Sequence, residues 1–251
     1  LGLDLNLDRE EVTMVAEQRS ALMGLLLSLA LALPLRGAVV FETEWLSIQI
    51  DDTGAVRGLV DRRSAVNYGV SLQPAPLLAL RIGGQFQIPK TLRTEESAGT
   101  LTLQYAEGVK ATVKAVAKTT HVTFELLSVQ PEGKAEVVVW GPYPTAIKEI
   151  IGETVGVVRN DRFALGIQAL NVKTLGGYPT AENDIMPGRG DTAQPTEVGS
   201  ILQAFTRDRR QERVIPNWGH ESYVVPGYDD GGVIGSKIGR ASCRERVYHP
   251  V

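Results

Sequence analysis

A single cysteine, Cys243, stands in 251 residues, so neither a disulfide framework nor a thiolate metal site is available to this chain. Histidine is nearly as scarce. Of three histidines, His121 and His220 lie far apart and His249 stands at the chain end, which leaves structural zinc without a ligand set. There is no excess of positive charge: 26 Lys and Arg face 29 Asp and Glu, for a formal net charge of −3. That balance argues against a general nucleic-acid binder, whose surface would be basic. Phosphate loops are missing too, because "GGVIGSK" lacks the G-x-x-x-x-G-K-[ST] spacing and no βαβ context surrounds it. No cofactor is called for by any motif. Calcium is untouched by these absences, since carbonyl and carboxylate sites leave little sequence trace.

The N-terminal region reads as an address. From Met14 there is one early cation, Arg19, and then an apolar run from Ala21 to Leu33. Such a run matches a signal-peptide core and falls short of the roughly 20 apolar residues of a membrane span. Ala30-Leu31-Ala32 and Ala38 offer small-residue cleavage points, so the mature chain is expected to begin between Leu33 and Val39. Residues 1–38 are thus expected to be an upstream leader plus signal peptide. The protein is expected to be secreted or periplasmic, with no stable membrane span after cleavage.

From Val39 the period changes to two. "FETEWLSIQI", "AVRGLVD", "LLALRIGG", "QFQIPKTLRT", "GTLTLQYAEG", "VKATVKAVAKTT" and "HVTFELLSVQ" alternate apolar and polar residues between close turn signals. "KAEVVVWGPYP" and "RFALGIQALN" continue the pattern, and only "PTAIKEIIGETVG" has a helical look. With no internal repeat or low-complexity linker, residues 39–237 read as one all-β domain, a large antiparallel sandwich of two packed sheets.

Within it, "LSIQIDDTGAVRGLVDRRSAVNYG" is a strand, an Asp-Thr-Gly turn, a strand and a charged turn ending in Asn-Tyr-Gly. This stretch resembles the opening hairpin of the galactose-mutarotase-like β-supersandwich, and "GETVGVVRNDRFALGIQALNVKTLGGYP" looks like a later strand pair of such a domain. The resemblance covers roughly Val39 to Ile238 and rests on hairpins and turns rather than an invariant motif. That domain stands N-terminal to the catalytic barrel of many glycoside hydrolases, and it also occurs in some polysaccharide lyases. The resemblance implies an oligo- or polysaccharide partner. It also implies that the catalytic acid and nucleophile lie in a C-terminal domain missing from this sequence. A non-catalytic carbohydrate-binding or cell-surface interaction sandwich is the alternative.

Aromatic residues make up only 6 % of the chain, and they concentrate late, in turn-rich segments. Flat rings stack on the apolar faces of sugars, while carboxylates and imidazoles bond their hydroxyls. Trp140, Tyr143, Trp218, His220, Asp229 and Asp230 are therefore the candidate substrate-binding residues. Glycoside hydrolysis needs two carboxylates at a set separation. Asp51-Asp52 and Asp229-Asp230 are adjacent pairs, and neighbouring strand residues point to opposite faces, so the sequence assigns those roles to neither pair. No catalytic residue is assigned.

The chain ends in "SKIGRASCRERVYHPV", basic after a mildly acidic stretch. Ile238 to Val247 resembles the conceptual translation of a common sequencing adapter, so residues 238–251 read as an artefactual tail. Deleting residues 239–251 is then expected to change stability by no more than about 0.5 kcal/mol.

Overall fold

A computed structural model describes residues 39–70, 75–179, 191–208, 213–215, 223–225 and 236–241. Among them there is no α-helix, and none of the short helical turns is long and apolar enough to cross a membrane. The chain is all-β and antiparallel, a β-sandwich.

The first three strands, β1 (Val39–Glu42), β2 (Leu46–Ile50) and β3 (Val56–Asp61), form a three-stranded sheet in that order. After β4 (Ala79–Ile82) and β5 (Gln85–Gln87), a meander follows through β6 (Thr91–Glu95), β7 (Thr100–Gln104), β8 (Lys110–Ala117) and β9 (His121–Gln130). Next come β10 (Val137–Thr145), β11 (Ile150–Gly152), β12 (Val157–Arg159), β13 (Ala164–Ala169), β14 (Leu175–Gly176), β15 (Ala193–Pro195) and β16 (Ser200–Arg207). A hairpin of β17 (Arg213–Ile215) and β18 (Tyr223–Val225) precedes β19 (Ser236–Ala241).

Sheet order departs from chain order. One sheet runs β14-β16-β10-β4-β5, with β15 also paired to β16. The other runs β11-β12-β13-β19-β9-β8-β7-β6, so the last strand lies between β13 and β9.

Alternation does the packing. Leu46, Ile48 and Ile50 on β2, Val113 on β8 and Val122 and Phe124 on β9 are all fully buried, and they share one core with Val138 and Trp140 of β10. Strand β10 breaks the alternation because it is covered on both faces. Val137 and Val139 join Ala79 and Phe205 in a second, smaller cluster on the other side of the sheet. A Val-Val-Val-Trp run is the expected sequence of such a two-sided strand.

The helical look of "PTAIKEIIGETVG" is overturned: it contains the end of β10 and strand β11. Ile147 N–H donates to Thr145 Oγ1 (3.2 Å), and Ser200 Oγ donates to the Ile147 carbonyl (2.7 Å). Side-chain partners take the backbone groups that a helix would need.

Strand β19 runs across the position of Lys237. Ile238 is fully buried, and residues 236–241 pair with β9 while 238–241 pair with β13. Whatever its origin, the segment 238–241 is part of this sheet.

Candidate functional site

Trp140 and Tyr143 both lie in the core. Strand alternation would send residues three apart to opposite faces, yet both are buried, at 0 % and 1 % exposure. A bulge between them resets the register, and Gly141 makes it with a φ of +88°. A Cβ at 141 would sit 2.9 Å from the Leu202 carbonyl oxygen, so only glycine fits without a shift. Trp140 Nε1 donates to Ser236 Oγ (2.5 Å) and Tyr143 Oη to the Leu77 carbonyl (2.5 Å). An enclosed ring has no face to offer a sugar, so these two residues serve the fold. Trp218, His220, Asp229 and Asp230 lie outside the described residues.

Asp51 is a structural carboxylate. Its Oδ1 accepts from Thr53 N (3.0 Å), Thr53 Oγ1 (2.6 Å) and Ala55 N (2.9 Å), while Arg57 Nε meets Oδ2 at 2.6 Å. This closes the Asp-Thr-Gly turn between β2 and β3. Burial pushes the carboxyl pKa up, but the bonds from Thr53, Ala55 and Arg57 and the Arg57 charge outweigh it, and the pKa lies below its ordinary value. A carboxyl with a lowered folded-state pKa stabilises the fold above its unfolded pKa, and that contribution fades as pH falls through the folded value. Urea midpoints of the native protein should therefore drop on acidification below about pH 4. The Asp51→Asn variant should be less stable at pH 7 by about 2 kcal/mol, with a shallower drop in acid. Equal acid slopes for the two proteins would show that Asp51 is not the sensor.

An open aromatic and charged cleft forms where three turns converge. In the β1–β2 turn, Thr43 Oγ1 accepts from the N–H groups of Trp45 (3.1 Å) and Leu46 (2.8 Å) and so presents Trp45. After β3, Asp61 accepts from Arg63 N (3.0 Å) and Ser64 Oγ (2.6 Å). Between β12 and β13, Asn160 Oδ1 accepts from Arg162 N (2.9 Å) and Phe163 N (2.8 Å). Phe163 stacks on Tyr68 at 5.0 Å and 7°, which ties the second turn to the third.

The cleft, about 260 Å³, is lined by Trp45, Asp61, Arg63, Ser64, Asp161, Arg162 and Phe163. Arg63 lies 3.4 Å over the Trp45 ring, a cation–π contact that layers the guanidinium on one face of the indole. Arg162 and Asp161 are exposed and meet at 3.8 Å. Donors and acceptors thus surround a flat wall, which suits a polar ring with an apolar face. Asp61 is buried with both oxygens engaged, so it orients the turn.

A wider cleft of about 530 Å³ lies between Val39–Phe41 and residues 94–101, and one of about 270 Å³ lies at His121 and Gln168. Neither joins a tryptophan to charges of both signs. Among the described residues no group of three or more His, Cys, Asp or Glu is placed to hold a metal.

Sequence reading missed the Trp45 cleft because Trp45 looks like one more strand residue. The available signal was in the turns, where "DRRS" and "NDRF" each place an Asx residue ahead of arginine.

The sequence matches no protein-family model and no curated protein. Among solved structures, one similar chain is a polysaccharide lyase, with a TM-score of 0.39 and 12 % identity. The match covers 79 % of this chain and 32 % of that one, so this chain spans about a third of the lyase's length.

Proposed function

We propose that this chain is a carbohydrate-contacting β-sandwich belonging to a secreted carbohydrate-active enzyme of glycoside hydrolase type, whose chemistry lies outside the described residues. The observation that carries the reading is the Trp45 cleft: indole, stacked guanidinium, hydroxyl and two carboxylates around about 260 Å³ on an all-β frame. That volume lies just under the usual range for small-molecule pockets, of the order of 300–1,000 Å³, and fits one sugar residue rather than a chain. The second reading, a non-catalytic carbohydrate-binding sandwich, is favoured by Asp61, whose oxygens are both held by its own turn.

Titration of the purified protein with neutral and acidic oligosaccharides tests the proposal. A half-open wall with a few hydroxyl bonds predicts millimolar affinity, about −4 kcal/mol. Trp45→Ala should abolish binding while leaving the urea midpoint nearly unchanged. Binding that survives Trp45→Ala but is lost in Trp218→Ala or His220→Ala would move the site to the late aromatic segment. Hydrolysis followed in parallel should be absent, and turnover abolished by Asp229→Asn or Asp230→Asn would put the chemistry in this chain.

A further inference from the structure

Hydrogen-bond donors and acceptors are unequally committed around the Trp45 cleft. Arg63 donates through its backbone N–H to Asp61, while its guanidinium lies on the Trp45 ring and makes no hydrogen bond among the described residues. Arg162 likewise donates through its backbone N–H, to Asn160 Oδ1, and its side chain is 79 % exposed. The 3.8 Å between Arg162 Nε and Asp161 Oδ2 is too long for a hydrogen bond. The neighbouring Arg62 differs, because it donates to the Thr43 carbonyl and pairs with Glu42 at 3.2 Å. Two guanidinium groups therefore line the cleft with their planar forks of N–H donors unspent.

Acceptors are scarce by comparison. Asp61 is buried, with Oδ1 taken by the Arg63 N–H and Oδ2 by Ser64 Oγ, which gives up its proton there. That leaves the Asp161 carboxylate, 84 % exposed, where water screens both its charge and its pairing with Arg162. A sugar hydroxyl donates as well as accepts, so a neutral sugar draws on both kinds of partner. A carboxylate only accepts, and its two oxygens match the guanidinium fork.

We propose that the Trp45 cleft selects a sugar bearing a carboxylate, with Arg63 and Arg162 as the groups that bind the anion. This rests on the carbohydrate reading above and adds the sign of the ligand's charge. Asp161 is the exposed lining group that opposes such a ligand, so its charge sets how strong the preference is.

The test is an NMR titration of the full chain at pH 7 with matched methyl glycosides that differ only in the carboxylate: glucuronide against glucoside, and galacturonide against galactoside. At least one uronide should bind about fivefold or more tighter than its neutral counterpart, as expected when hydrogen bonds become charge-assisted. The preference should shrink in 1 M salt, where screening acts within about 3 Å. Arg162→Gln, at an exposed position that leaves the fold intact, should bring the ratio close to 1, and Asp161→Asn should raise it. Equal binding within both pairs would overturn the proposal and leave the carbohydrate reading standing. A preference that survives both Arg162→Gln and Arg63→Gln would also overturn it, because the anion would be held elsewhere. Binding of none of the four glycosides would defeat the carbohydrate reading itself, and this proposal with it.

Discussion

Deletion of residues 236–251 is expected to destabilise the protein by at least about 5 kcal/mol, enough to unfold a domain of ordinary stability. The cut removes fully buried Ile238 and the pairing that β9 and β13 make with β19. It also removes Ser236, which accepts from Trp140 Nε1 and lies 3.1 Å from Thr174 Oγ1. Loss of one large buried aliphatic side chain costs about 2–5 kcal/mol, and each lost hydrogen bond adds about 1 kcal/mol. Deletion of residues 239–251, expected from the sequence to be neutral, leaves β13 with one position paired to β19, Ala169 opposite Ile238. Its cost should be smaller but well outside the range of a surface change. Circular dichroism in urea, with deletion of residues 242–251 as the comparison, measures all three. Matching midpoints for the cuts at 236 and 242 would mean that β19 contributes nothing.

Trp140→Ala should lower stability by about 3–5 kcal/mol, the cost of a large cavity in a packed core. Trp140 is completely enclosed, 6.3 Å from the Phe124 ring, and its N–H anchors a buried hydroxyl network between the sheets. In that network Thr174 Oγ1 donates to Asn171 Oδ1 (2.9 Å) and accepts from Lys237 N (3.1 Å). Trp140→Phe refills much of the volume but leaves Ser236 without its donor, so about 1–3 kcal/mol should remain lost. Urea titration gives these values, and sugar titration separates the two tryptophans. Trp45→Ala should remove binding at little cost in stability, whereas folded Trp140→Ala should still bind. Selective loss of sugar affinity in Trp140→Ala would return that residue to the binding surface.

The strand pattern was legible from sequence because one-sided burial writes a period of two into the residues. The β7–β8–β9 meander shows this, with Leu101, Val113 and Phe124 turned inward. The Asp-Thr-Gly turn was legible for a local reason: Asp51 reaches only residues two to six positions on. The sequence by itself therefore determined the all-β class, the antiparallel connections and the hairpin turns. Which aromatics were core and which were surface was not legible. The bulge at Gly141 turns Trp140 and Tyr143 to the same face, and bulges depend on the partner strand. The Trp45 cleft draws on turns about a hundred residues apart in the chain, and no local pattern links Trp45 to Arg162. The place of β19 between β9 and β13 was likewise decided only by tertiary structure. Backbone pairing admits almost any residue, so a segment that reads as foreign still completes the sheet.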